Sequence, residues 1–193
     1  NNINNPLACS IDDFAYFHSR LRSGTGALPA GWCLTSAEYE DMQELEQFYM
    51  HYSGGLALKS LDLVPEKEMR VRRDLSNAHQ QMGLRRERRV LVLKQGRRVK
   101  AVIMANISDF ALNLSDLTNC IKFFVIDPKT PYDLIQQCIY MMGELYNTSK
   151  IPVLIFPKTY AAGQGVKVDR IYALWALDCR YSDEFTKNYN FLK

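Results

Sequence analysis

From Arg85 to Asp127 the chain reads RRERRVLVLKQGRRVKAVIMANISDFALNLSDLTNCIKFFVID, and this stretch limits the fold more than any other. Arg89 to Lys94 and Val99 to Ile107 are β-rich runs joined by Gln95-Gly96, a hairpin signal. The second run, VKAVIMANI, alternates only imperfectly, as a strand covered on both faces does. Cys120 to Ile126 (CIKFFVI) reads as a third strand. Asp127, Pro128 and Pro131 end it and open a helix, PYDLIQQCIYMMGELYN, whose apolar face is Leu134, Ile135, Cys138, Met141, Met142 and Leu145. Ile151 to Phe156 (IPVLIF) is a fourth strand, apolar enough for the centre of a sheet. A helix between two apolar strands demands a crossover, which brings parallel pairing into a mixed sheet. After a loop from Pro157 to Asp169, IYALWALDCRY reads as a fifth strand, and a short helix is expected from Ser182.

Upstream, the pattern is mainly helical. Ser10 to Arg22 (SIDDFAYFHSRLR) offers a Ser N-cap, Asp12 and Asp13 for the positive end of a helix, and Phe14, Phe17 and Leu21 at helical spacing. His18 beside that face reads as a surface or packed residue. The Gly- and Pro-containing run Ser23 to Gly31 breaks the helix as a linker. Residues 1–31 are therefore expected to be an N-terminal helix and linker, and 32–193 an α/β domain. Trp32 to Leu34 opens that domain as a short strand. Ser36 is the expected N-cap of a helix in which Tyr39, Met42, Leu45, Phe48, Tyr49 and Tyr52 recur at three- and four-residue steps, closed by Gly54-Gly55. Its aromatic stripe is expected to face the core. Leu56, Leu58, Leu61 and Leu63 form an apolar segment up to Pro65. Glu66 to Met82 reads as a basic, weakly amphipathic helix capped by Gly83. His79 lies on it near Asp74 and Gln80, with no nucleophile beside it.

With 193 residues, 47% of them hydrophobic, the chain can bury a full core. The net charge of +3 is too mild to argue for nucleic acid as a partner, although about half of the 24 Lys and Arg residues lie between Lys67 and Lys100. Cys9, Cys33, Cys120, Cys138 and Cys179 are odd in number and widely spaced, which points to free thiols in a reducing compartment. No CxxC or HxxxH pair suggests a zinc site. No apolar run reaches the roughly 18 residues of a membrane span, so a cytoplasmic protein is expected. A start at Asn1 fits a fragment or processed chain, with other domains of the same protein as partners.

This order of elements resembles the GNAT (N-acetyltransferase) superfamily, over roughly residues 32 to 181. There, a short strand and two helices precede a three-stranded meander, followed by a helix, a buried strand and a final strand pair. The resemblance implies an α/β (α+β) fold with a mixed central sheet flanked by helices, acyl-CoA as cofactor, and acyl transfer to an amine. Val125, Asp127, Lys129 and Thr130 would then meet acyl-CoA, and Glu144 and Tyr160 are general-base candidates by residue type. The family holds the pyrophosphate with a Q/R-x-x-G-x-G/A loop whose N–H groups face the phosphates. The matching stretch here, Asp127-Pro128-Lys129-Thr130-Pro131-Tyr132, has no Gly, two Pro without N–H groups, and an Asp that would repel phosphate. Gly163-Gln164-Gly165 reads as a flexible turn.

A second resemblance is to bacterial PilZ domains, which bind the nucleotide second messenger cyclic di-GMP through RxxxR and (D/N)xSxxG. Arg85 and Arg89, or Arg86 with its neighbours, supply the first, and Asn106-Ile107-Ser108-Asp109-Phe110-Ala111 the second, with Ala in place of the last Gly. This resemblance implies a non-catalytic signalling domain with Arg85, Arg86, Arg89, Asn106 and Ser108 on the ligand, and Arg88 among the phosphate-facing arginines.

Overall fold

The structure, a computed structural model, describes residues 7–18, 27–61, 63–64, 74, 76–109, 119–143 and 153–181. Seven strands form one mixed sheet: β1 (Cys9–His18), β2 (Trp32–Ser36), β3 (Arg86–Gln95), β4 (Arg98–Ser108), β5 (Asn119–Val125), β6 (Val153–Pro157) and β7 (Arg170–Leu177). Their order is β2-β3-β4-β5-β6-β1-β7, with β5 and β6 parallel and the other neighbours antiparallel. The expected meander is present. Its turn is Gly96-Arg97, with Gly96 at φ +60°, and Gly96 N–H donates to the Gly31 carbonyl at 2.8 Å, which ties the turn to the start of β2.

Helices cover both faces. On one side lie α1 (Tyr39–Ser53) and α2 (Leu56–Ser60), whose Met42, Leu45, Tyr49 and Leu58 pack on Val92, Val102, Met104 and Phe124. On the other lie α3 (Tyr132–Met142) and α4 (Lys158–Gly163), packed on Ile103, Ile121, Phe123 and Phe156. This double cover explains why β4 from Ala101 and β5 from Cys120 are buried at consecutive positions instead of alternate ones. Among the described residues, no helix is long and apolar enough to cross a membrane. All five cysteines are free thiols, and burial pushes the Cys138 thiol up to about 12, so it stays protonated.

Several expectations need correction. The helix expected over Ser10 to Arg22 is β1 as far as His18; the rest of it lies outside the described residues. The apparent helical spacing of Phe14 and Phe17 misled because β1 is covered on both faces, so Phe14 and Ala15 are both buried. Its aromatic and β-branched content (Ile11, Phe14, Tyr16, Phe17) suits a strand, and β6 and β7 each offer it an edge. Helix α1 is capped by Glu38 and not by Ser36, which ends β2. Glu38 N–H donates to Asp41 Oδ2 at 3.0 Å, and Asp41 Oδ1 meets Lys94 Nζ at 2.7 Å, anchoring the helix start to β3. Of the aromatic stripe, Tyr49 is buried, while Tyr39 and Tyr52 are exposed. Residues 76–81 are helical, whereas most of the stretch before them and the helix expected from Ser182 lie outside the described residues. The loop expected from Pro157 to Asp169 contains α4.

Because β1 lies between β6 and β7, a chain starting at residue 27 would leave the edge of β6 unpaired, take from β7 its neighbour in the sheet, and remove Phe14 and Ala15 from the two cores. Such a chain is expected to lose its cooperative thermal transition, read by circular dichroism. A sharp melt near that of the full chain would contradict this placement.

Candidate functional site

The parallel pair β5–β6 is short. Cys120, Ile121 and Lys122 pair with Val153, Leu154 and Ile155, and the ladder stops there. Beyond that point β5 stays paired with β4 as far as Val125, and β6 stays paired with β1 as far as Pro157. The β5–β6 ladder therefore ends near the C-terminal ends of the two strands, the side on which open α/β sheets accept ligands. On the α3 side Phe123 and Phe156, one residue beyond the ladder, stack across the two strands with ring centroids 4.3 Å apart, and Tyr132 and Tyr160 lie around Phe156. On the α1 side the ring of Phe124 lies against Phe14 and Tyr49.

The loop from Asp127 to Tyr132 closes this end of β5, and its polar groups answer one another. Asp127 Oδ2 accepts from Lys100 Nζ at 2.8 Å, and Oδ1 accepts from the Lys129 N–H at 3.0 Å. Thr130 N–H donates to the Asp127 carbonyl at 2.9 Å. Tyr132 N–H, at the first turn of α3, donates to Gln164 Oε1 at 3.2 Å, and Gln164 Nε2 donates to the Pro128 carbonyl at 3.4 Å. The Gly163-Gln164-Gly165 turn thus caps α3, a role its glycines alone did not signal. Tyr160 Oη donates to the Thr130 carbonyl at 2.8 Å, and burial raises its phenol pKa, so it holds its proton and braces the loop. The four residues assigned to acyl-CoA do converge here: Val125 and Thr130 are buried, Lys129 is exposed, and Asp127 is half-buried. However, the N–H groups of Lys129, Thr130 and Tyr132, which a pyrophosphate would need, already have internal acceptors. Glu144 lies outside the described residues.

The arginine set divides. Alternate residues of a strand project to opposite faces. Arg88, buried, shares the α1 face with its cross-strand partner Asn106, to which its Nε donates at 3.2 Å, while Nη1 donates to the Leu61 carbonyl at 3.0 Å. Arg86 is paired opposite Ser108 on that same face. Arg85 and Arg89 instead flank Glu87, at 3.3 and 3.8 Å. Arg85 and Arg89 therefore do not converge with Asn106 and Ser108. Lys122, only 2% exposed, stands on the Arg88 face; a lysine inside the apolar run CIKFFVI was the sequence signal for it. His79 is buried beneath the helical segment that carries it.

A cleft of 180 Å³ opens on the α1 side at the same end of the sheet, lined by Ile11–Phe14 of β1, Tyr49 and Tyr52 of α1, and Pro157–Thr159. Sequence reading placed Asp12 at a helix start and missed it as a site residue. It is 5% exposed, and its carboxylate sits beside the hydroxyls of Ser53 and Ser10. Burial pushes its pKa above the ordinary value, an effect tempered by the nearby hydroxyls of Ser53 and Ser10 and reinforced by Asp13. Asp13 is matched by Lys158 Nζ at 2.9 Å. Among the described residues, no group of His, Cys, Asp and Glu side chains could hold a metal ion. No protein-family model matches the chain, and no curated protein matches it significantly in sequence.

The hydrogen bond from Lys100, with the Lys129 N–H, holds the Asp127 carboxyl below its ordinary value of 3.8. A folded-state pKa below the unfolded one stabilises the protein above the unfolded value, and that stabilisation is lost as pH falls through the folded value. Asp127→Asn is expected to cost about 1 kcal/mol at pH 7, given the partial exposure of the pair. The difference should shrink progressively as pH falls below the ordinary value of 3.8, read by denaturant melts across pH.

Proposed function

We propose that this chain is an acyltransferase-type domain of GNAT-like architecture in which internal contacts have replaced the pyrophosphate grip on coenzyme A, working as a module of a larger protein. The observation that carries this reading is the end of the short parallel β5–β6 ladder at Lys122 and Ile155, inside a seven-stranded sheet. Strand-edge groups beyond the ladder would offer hydrogen bonds to the amides of an extended thioester arm. The helix after β5 and the buried parallel strand after it agree in order with the resemblance and support this reading. The family's final strand pair corresponds here to β7 and, from the other end of the chain, β1.

In the reaction, an amine lone pair attacks the thioester carbonyl, a C–N bond forms, the C–S bond breaks, and the thiolate leaves. The nitrogen releases a proton to solvent or to an acceptor. Tyr160 is unsuited to take that proton, because its hydroxyl is buried and already donates to Thr130. Asp127 and Gln164 occupy the N–H groups that would bind phosphate, so the donor is held by its acyl and pantetheine portions and gains little from the nucleotide. The cyclic di-GMP alternative is weaker, because of its three arginines only Arg86 shares a face with Asn106 and Ser108, while Arg85 and Arg89 flank Glu87.

Calorimetry with acetyl-CoA, a longer acyl-CoA and the same acyl groups on pantetheine tests this reading. Acyl-pantetheine is expected to bind within about tenfold of acyl-CoA, the value of at most one charge-assisted contact. No heat with any thioester would remove the acyltransferase reading. A preference of several hundredfold for the CoA form would show a working pyrophosphate grip. Cyclic di-GMP binding that disappears in Arg85→Ala/Arg89→Ala would favour the alternative.

A further inference from the structure

We propose that the cleft between β1 and α1 binds the ammonium head of a small organic amine, with Asp12 as its anionic partner and the Tyr49 and Tyr52 rings as its walls. Three independent observations meet there. First, Asp12 lines the cleft and is buried, and the groups beside its carboxylate are the neutral hydroxyls of Ser53 and Ser10 and the acidic Asp13. A buried carboxylate without a cationic partner is costly, and a bound cation removes that cost. Second, the last turn of α1 contributes the cleft's Tyr49 and Tyr52, and a helix C-terminus adds partial negative charge that favours a cation. Third, the fixed charges lining the cleft are Asp12, Asp13 and Lys158; because Lys158 is engaged by Asp13, one negative charge is left over. The walls are aromatic: Tyr49 is buried, Tyr52 stands at the mouth, and Phe14 lies beneath. Aromatic faces around an ammonium supply cation–π attraction as well as apolar contact.

Phe124 lies against Phe14 and Tyr49 and belongs to β5, just beyond the end of the β5–β6 ladder. The amine's role as acyl acceptor rests on the acyltransferase reading; its binding does not.

The test is an NMR titration of the full chain, without any thioester, with n-butylammonium and with 1-butanol as the neutral control. Saturable shifts are expected at the amides of Ile11, Asp13 and Tyr52, with butanol at least about tenfold weaker. Asp12→Asn should weaken butylammonium binding by about tenfold or more and raise the melting temperature of the ligand-free chain, because a buried charge is removed. Tyr52→Ala, at an exposed position that spares the fold if Asp12→Asn does not, should weaken it about threefold. No saturable shifts in the folded wild-type chain, or unchanged affinity in either folded variant, would overturn the assignment. Amine binding without any thioester binding would keep the site and remove the acyltransferase reading, and thioester binding without amine binding would do the reverse.

Discussion

The parallel pairing of β5 with β6 is the constraint on which the rest of the structure depends. Parallel strands cannot be joined by a tight turn, so the chain leaves the C-terminal end of β5, crosses one face and returns to the opposite end of the sheet to begin β6. The described part of that crossover is α3, which buries the face that β4 and β5 present to it. The opposite face must then be covered as well, and α1 and α2 do so. The same crossover puts the Asp127–Pro131 loop and the first turn of α3 beside the C-terminal ends of β5 and β6. There the β5–β6 ladder ends, and the Phe123 and Phe156 rings stack across the two strands.

What fills that end is decided by electrostatics. The N-terminus of a helix and the turn before it attract an anion. In this chain the anion is internal: the Asp127 carboxylate takes the Lys129 N–H and the Lys100 ammonium, and the Gln164 carboxamide oxygen takes the Tyr132 N–H. The loop therefore gains rigidity and gives up the contacts a phosphate would use. Across the sheet the balance is reversed. Asp12 is buried beside a helix C-terminus with only neutral hydroxyls and Asp13 next to it, so the cleft over it favours a cation. The two sides of one sheet end are thus suited to different chemistry, with the Phe124 ring near their boundary.

Strand β1 joins these features. It completes the sheet between β6 and β7, contributes Phe14 and Ala15 to opposite cores, and runs past the end of β6 so that Ile11–Phe14 become a wall of the cleft. A segment from the N-terminal end of the chain thereby forms part of the site at the heart of the fold.

The local sequence determined the elements whose signals are short-range. The Gly96 hairpin, the apolar runs of β4, β5 and β6, the helix closed by Gly54, and the Pro131 start of α3 can each be read within about ten residues, because turn geometry and side-chain period are local properties. The mixed sheet followed from them, since a helix between apolar strands requires a crossover. Only the tertiary structure decided that SIDDFAYFH is a strand, because two vacant strand edges outweighed a weak helical period. It alone decided that Gln164 caps α3, that Arg85 and Arg89 project away from Asn106, and that Asp12 lies beneath Tyr49. Each of these depends on residues far apart in the chain meeting across a sheet, and burial, which sets the energy of a charge, is a property of the assembled fold and not of any stretch of sequence.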